Sequence, residues 1–199
     1  TVKYPARSSA GIAHEAMETA TFYEHCVRAI TLGATQGLHG LPLLGAGDWN
    51  DGLSNAGIKG IGESCWLAWF LIAILDRFAL VAESRDDQVF AEFCRNHAAL
   101  YREAMNKFGW DGAWYNRGYT DEGRAFVSAG QKTYRIDALA QAWAVLSRGG
   151  SIEKMKTALD SVRKELLSDE AIPLLAQPIS GNIPDYGYLC DYPPGVREN

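Results

Sequence analysis

The sequence predicts an all-α protein, and three observations lead there. Five stretches carry apolar residues at helical steps of three and four. Strand pattern is confined to one short hairpin. The connections between the helical stretches are long and rich in glycine. Helices with apolar faces to cover, and almost no sheet to cover them, pack into a helical array.

In chain order, residues 1–11 read as an irregular lead-in, and a helix starts near Ala13. Ala16, Ala20, Tyr23, Val27 and Ile30 fall on one face of it, and Gly33 or Gly37 ends it. His25 on this helix reads as structural, because no second ligand is spaced to hold a metal with it. Residues 37–62 form a connection long enough to point to function. The second helix is read over Glu63–Ala82. Its run of eleven apolar residues, Cys65–Leu75, predicts burial on every side. Glu63 at its start suits the positive end of the helix dipole. A third helix, Asp86–Phe108, carries Phe90, Phe93, His97, Tyr101, Ala104 and Phe108 on a core stripe, with no chemistry for His97. Trp114–Thr120 and Arg124–Val127 flank Asp121-Glu122-Gly123 as a β-hairpin. The fourth helix, Ile136–Ser147, is expected to turn Leu139, Trp143 and Leu146 inward. Ser151 caps a fifth, with Ile152, Met155, Leu159, Val162 and Leu166 facing the core. From Ala171 onward lie five of the seven prolines, so an extended tail is expected. Its Tyr186, Tyr188 and Tyr192 argue against a plain linker and are expected to fold back and help shape a binding site.

Composition narrows the function. The chain's 199 residues suffice for one domain with a real core. Net charge is −5, with lysines and arginines scattered, which argues against a nucleic-acid footprint. Six Trp, nine Tyr and seven Phe suit stacking on sugar faces and equally suit a large core. Cys26, Cys65, Cys94 and Cys190 show no C-x-x-C spacing, so neither zinc nor a redox pair is indicated. Buried free thiols in a reducing compartment are expected. No signal peptide is read, and Asp76 and Arg77 interrupt the apolar run before it could cross a membrane. A cytoplasmic location is the expectation.

The chemistry concentrates in Gly45-Ala46-Gly47-Asp48-Trp49-Asn50-Asp51-Gly52, continued by Gly57-Ile58-Lys59-Gly60-Ile61-Gly62-Glu63-Ser64. Two carboxylates, an amide and an indole stand among glycines, which let a ligand approach the main chain. A calcium loop counted from Asp48 would need Gly at its sixth place and an acid at its twelfth, where Leu53 and Lys59 stand. A phosphate-binding loop would need Gly-Lys-Ser/Thr, which is absent. A solvated turn is the remaining plain alternative. Trp49 weighs against it, because an indole in a polar loop needs a partner and a sugar face supplies one.

With these residues, Gly40-Leu41-Pro42-Leu43-Leu44 through Ser64 resembles the glycoside phosphorylases of the cellobiose and chitobiose phosphorylase family, GH94. Tyr23-Glu24-His25-Cys26 with Arg28-Ala29, Arg135-Ile136-Asp137 with Gln141-Ala142-Trp143, and Tyr192 through Asn199 fit the same family in the same order. The wording is most similar to the phosphorylase-like domain at the C-terminal end of cyclic β-1,2-glucan synthases. The resemblance implies an (α/α)6 barrel, of which residues 1–199 are one catalytic-domain fragment, roughly the C-terminal half. Residues 12–170 form its helical part and 171–199 an active-site tail.

The resemblance also implies inverting phosphorolysis, in which phosphate attacks the anomeric carbon of a β-glucoside, β-1,2-glucan by the closest wording, and releases α-glucose 1-phosphate. Because phosphate is the nucleophile, one protein carboxyl group suffices, as acid to the departing oxygen. An inverting hydrolase would need a second carboxylate roughly 6.5–9.5 Å away to activate water. By position in the motif the acid is Asp51, its pKa raised by Asp48 and the wall of Trp49. Trp49 and Asn50 would contact the transferred sugar, and Tyr192 and Arg197 the leaving sugar. Asp48 and Glu63 complete the substrate-binding set. No metal or cofactor is expected, with inorganic phosphate as co-substrate. The expected partners are a β-glucan oligosaccharide, phosphate, the remainder of the barrel or a larger synthase on the cytoplasmic side of an inner membrane, and a second copy of the chain. The family's phosphate-contacting histidine would follow Asn199, and the residues gripping the transferred sugar would precede Thr1, so the isolated chain is expected to lack phosphorolysis. Two other outcomes stay open: a non-catalytic carbohydrate-binding fragment, and an inverting hydrolase using Glu63 or Asp137 as base.

Overall fold

A capping box decides where the first helix begins. In this computed structural model, residues 2–3, 19–45, 47–49, 53, 55–132 and 134–177 are described. The chain divides into two units, Thr1–Ala34 and Thr35–Asn199. In the first, β1 (Val2–Lys3) pairs antiparallel with β2 (Thr19–Ala20), Val2 opposite Ala20. Helix α1 follows as Phe22–Gly33. Thr21 Oγ1 accepts from Glu24 N at 3.2 Å, and Glu24 Oε2 accepts from Thr21 N at 2.6 Å. This reciprocal pair satisfies two backbone donors at the helix start. The predicted start near Ala13 is therefore corrected. Ala20 fits the helical spacing but lies in β2, and local capping chemistry outweighs a periodicity carried by alanines. His25 and Ile30 are the buried residues of α1.

The second unit is built on α2 (Cys65–Glu83), which packs most extensively on α3 (Gln88–Phe108) and next on α4 (Ala138–Leu146). Helix α4 packs in turn on α5 (Ile152–Glu165). A link of residues 84–87 folds α2 and α3 into a helical hairpin. Asp87 caps α3 by accepting from Phe90 N at 3.0 Å. Trp69, Ile72 and Leu75 of α2 are fully buried, each contributing roughly 1.5–3 kcal/mol by leaving water. The expectation of burial on every side is corrected: Leu80 and Val81 are exposed, and Phe70, Ile74 and Phe78 half-buried. The helix also continues through Asp76 and Arg77, and is long and apolar enough to cross a membrane by length and composition alone. More than half of its apolar window is buried, as in a core helix.

The predicted hairpin is present as β4 (Gly118–Tyr119) and β5 (Ala125–Phe126). A third strand, β3 (Glu63–Ser64), pairs antiparallel with β4, so Glu63 precedes the second helix instead of opening it. Ser64 is the true cap, accepting from Leu67 N at 3.0 Å. The close pairing requires Gly118, because a Cβ there would lie 2.3 Å from the carbonyl oxygen of Glu63.

The inward faces differ from expectation in three helices. In α4 the buried residues are Ala140, Gln141 and Ala144, while Leu146 is exposed. In α5 they are Ala158 and Val162, with Leu166 just beyond, while Ile152 and Leu159 are exposed. In α3, Phe90, Tyr101 and Ala104 are buried as expected, but Ala91, Cys94 and Ala98 share the core line in place of Phe93 and His97. Small residues let helices approach closely, so the contact seam runs along alanines and pushes larger neighbours to its margins.

Candidate active site

The loop that carries the chemistry is closed at its base by backbone pairing. Leu44 N donates to Gly62 O at 2.8 Å and Ser64 N to Pro42 O at 2.9 Å, so the strand-like lead 42–44 lies beside β3. Gly57 sits directly on Gly45: a Cβ on it would meet the Gly45 carbonyl oxygen at 2.6 Å. Below lies a small core of Leu44, Leu53, Ala56, Phe126, Val127 and Leu175. Leu174 and Leu175 bring the first part of the tail to this core, with Ala138 N donating to Leu174 O at 2.9 Å. The tail residues Tyr186, Tyr188 and Tyr192 lie outside the described residues.

The hairpin tip clamps the return limb of the loop. Asp121 accepts from three backbone amides, Lys59 N at 2.7 Å, Gly62 N at 2.8 Å and Ile61 N at 2.9 Å. Burial opposes its ionisation, but these three donors outweigh it and hold its carboxyl below the usual carboxylate range. Lys59 Nζ also pairs with Glu122 at 2.6 Å. Asp121-Glu122-Gly123 is thus a turn that also holds the loop.

The outgoing limb is gripped from the other side. The Arg117 guanidinium takes the Asp48 carboxylate as a fork, Nη1 to Oδ2 at 2.7 Å and Nη2 to Oδ1 at 2.5 Å. Ser64 Oγ donates to the same Oδ2 at 2.5 Å. On its far side, Arg117 Nε lies 3.0 Å from Asp137 Oδ2, an ion-pair distance without hydrogen-bond alignment. All three charged side chains are almost wholly buried, at 1–3% exposure, so two carboxylates share one guanidinium out of water. Burial opposes the charge on Arg117, yet the carboxylates outweigh it and raise its pKa. Burial also pushes Asp137 upward against the pull of Arg117. Asp137 has a second duty as cap of α4, accepting from Leu139 N at 2.6 Å.

Of the residues expected to bind substrate, Asp48, Trp49 and Glu63 are described. Asp48 is turned into the protein. Trp49, next in sequence, leaves its side chain 49% exposed. Glu63 is 1% exposed and faces the preceding turn. It accepts from His39 N at 2.9 Å and Leu41 N at 3.0 Å, and lies 2.5 Å from His39 Nδ1. The His39 ring stacks on Tyr119 at 3.9 Å between centroids. Asn50, Asp51, Tyr192 and Arg197 lie outside the described residues.

Reasoning from sequence missed Arg117, Ser64, His39 and Gln141. Arg117 had one available signal, a lone arginine among the aromatic residues of the predicted strand Trp114–Thr120. Gln141 was noted in a motif but given no role. Its fully buried amide accepts from Tyr115 N and donates to Tyr115 O, both at 2.8 Å, and so acts as a strand partner. The arrangement can hold a polar loop rigidly at both limbs while presenting an indole to solvent.

Comparison with known proteins bears on this loop. Residues 7–199 match the family model of the glycosyl hydrolase 94 superfamily, catalytic domain. The chain is 41% identical over 185 residues to cyclic beta-(1,2)-glucan synthase NdvB of Rhizobium meliloti (strain 1021), covering 92% of this chain and 6% of that protein. It is 32% identical over 183 residues to 3-O-beta-D-glucopyranosyl-beta-D-glucuronide phosphorylase of Paenibacillus borealis, covering 92% of this chain and 24% of that protein. It is 32% identical over 187 residues to N,N'-diacetylchitobiose phosphorylase of Vibrio proteolyticus, covering 90% and 22%. The chain therefore spans a quarter or less of the relatives it matches.

Proposed function

This chain belongs to the glycosyl hydrolase 94 superfamily, within its catalytic domain, and on that premise we propose that it carries the general acid of a glycoside phosphorylase. Asp51 protonates the glycosidic oxygen as phosphate attacks the anomeric carbon of a β-glucoside. The C–O bond to the leaving sugar breaks, a C–O bond to phosphate forms with inversion, and the product is an α-sugar 1-phosphate. Trp49 and Asn50 face the transferred sugar, and Tyr192 and Arg197 the leaving one. The similarity to NdvB favours a β-1,2-linked glucan as substrate.

The observation that carries this reading is the contrast between two adjacent residues. Asp48 is locked inside the protein and Trp49 is half exposed, so the loop is anchored beside an indole that it offers to a ligand. A second observation favours phosphate over water as nucleophile. Glu63 and Asp137, the carboxylates a hydrolase would use as base, are both committed to partners within the protein. A reaction that brings its own nucleophile needs neither.

Incubating the full-length protein with β-1,2-gluco-oligosaccharides, with and without inorganic phosphate, tests the reading. Sugar 1-phosphate is expected with phosphate, and no free glucose without it. Phosphate-independent glucose would transfer the case to a hydrolase. Oligosaccharide binding with no turnover, unchanged in Asp51→Asn, would indicate a carbohydrate-binding module.

A further inference from the structure

We propose that Arg117 is the positioning residue of the acid-bearing loop, holding Asp48 so that Asp51 meets the glycosidic oxygen. The inference rests on the general-acid reading above.

The geometry argues it in three steps. First, Arg117 is itself held by its backbone and its side chain. Its N–H donates to Phe126 O at 3.2 Å, its carbonyl accepts from Cys65 N at 3.1 Å, and its guanidinium lies 5.8 Å from the Trp66 ring centroid. Second, its fork holds Asp48 at both oxygens, while Ser64, fixed as the cap of α2, holds one of them again. The remaining nitrogen faces Asp137 at the cap of α4, so one guanidinium ties the loop, the hairpin and α4 together. Third, the grip falls close to the chemistry. Asp48 stands three residues before Asp51 in sequence, and three residues span at most about 11 Å of chain. Misplacement by an ångström costs on the order of a hundredfold in rate.

Arg117→Lys in the full-length protein keeps the charge and removes the fork. For phosphorolysis of a β-gluco-oligosaccharide, kcat is expected to fall about tenfold to a hundredfold. The decisive comparison is a β-glucoside of 2,4-dinitrophenol, whose leaving group departs without protonation. If Arg117 acts through the acid, the loss on that substrate shrinks to less than about threefold, because general acid help is no longer needed. Equal losses on both substrates, or a raised KM with kcat intact, would overturn the proposal. If Arg117→Lys does not fold, Ser64→Ala decides, since it removes one of the three donors to Asp48 and leaves the ion pairs. It should show a smaller loss with the same leaving-group dependence, and a loss blind to the leaving group counts against the proposal. Asp51→Asn, run alongside, separates the two claims. Wild-type phosphorolysis in that variant overturns the general-acid reading. Its loss, with no leaving-group dependence in the Arg117 and Ser64 variants, overturns only the positioning role.

Discussion

Asp48 and Trp49 show how neighbouring residues divide the work of a site. The aspartate was expected to touch substrate and to raise the pKa of Asp51, but its charge is matched by Arg117 inside the protein. Its contribution on this geometry is placement. The exposed indole should behave oppositely. Trp49→Ala is expected to cost about 1 kcal/mol of stability, since half of its surface is buried, while weakening oligosaccharide binding about tenfold through lost stacking. Calorimetric titration with a β-gluco-oligosaccharide alongside thermal unfolding checks both halves. Gln141 presents the reverse case, a buried group with no exposed face. Gln141→Ala strands the N–H and C=O of Tyr115 without partners and should cost about 2 kcal/mol in urea unfolding.

At the scale of elements, the hairpin matters more than its two-residue strands suggest. Its base supplies Arg117 to one limb of the loop, and its tip supplies Asp121 to the other. Because the folded pKa of Asp121 lies below 3.8, its stabilisation is complete above the unfolded pKa and is lost as pH falls through the folded value. Asp121→Asn should therefore cost about 1–2 kcal/mol at neutral pH and flatten the acid limb of a stability profile, as followed by unfolding from pH 7 to about pH 3. The hairpin was legible in the sequence because Asp-Glu-Gly is turn chemistry between β-prone runs. The third strand was not, because two residues carry no period. Helix α1 began later than its alanine spacing implied, since the threonine–glutamate cap at Thr21 and Glu24 sets the start. The inward faces of α4 and α5 were misread for a related reason. Apolar bulk is what a sequence offers as a mark of burial, whereas close packing at these seams selects alanine and a hydrogen-bonded glutamine.

Across the whole molecule, the helical class and the family were readable because short motifs survive as contiguous strings. The loop motif stands in one stretch, where the residue types suggest a ligand site and the resemblance to the family supplies the role of Asp51. The network that supports it was not readable, because Arg117 is 69 residues from Asp48 and joins it only through the fold. Tertiary pairing of that kind leaves no periodic trace. On the proposal above, the chain contributes an acid on a loop held at both limbs. The most direct test is the rate of sugar 1-phosphate formation by the full-length protein and its Asp51→Asn variant, followed by phosphorus NMR with matched unfolding curves. The account predicts an α-sugar 1-phosphate from the wild type and a loss of about 10²–10⁴-fold in the variant at unchanged stability. A variant that forms sugar phosphate at the wild-type rate would contradict it.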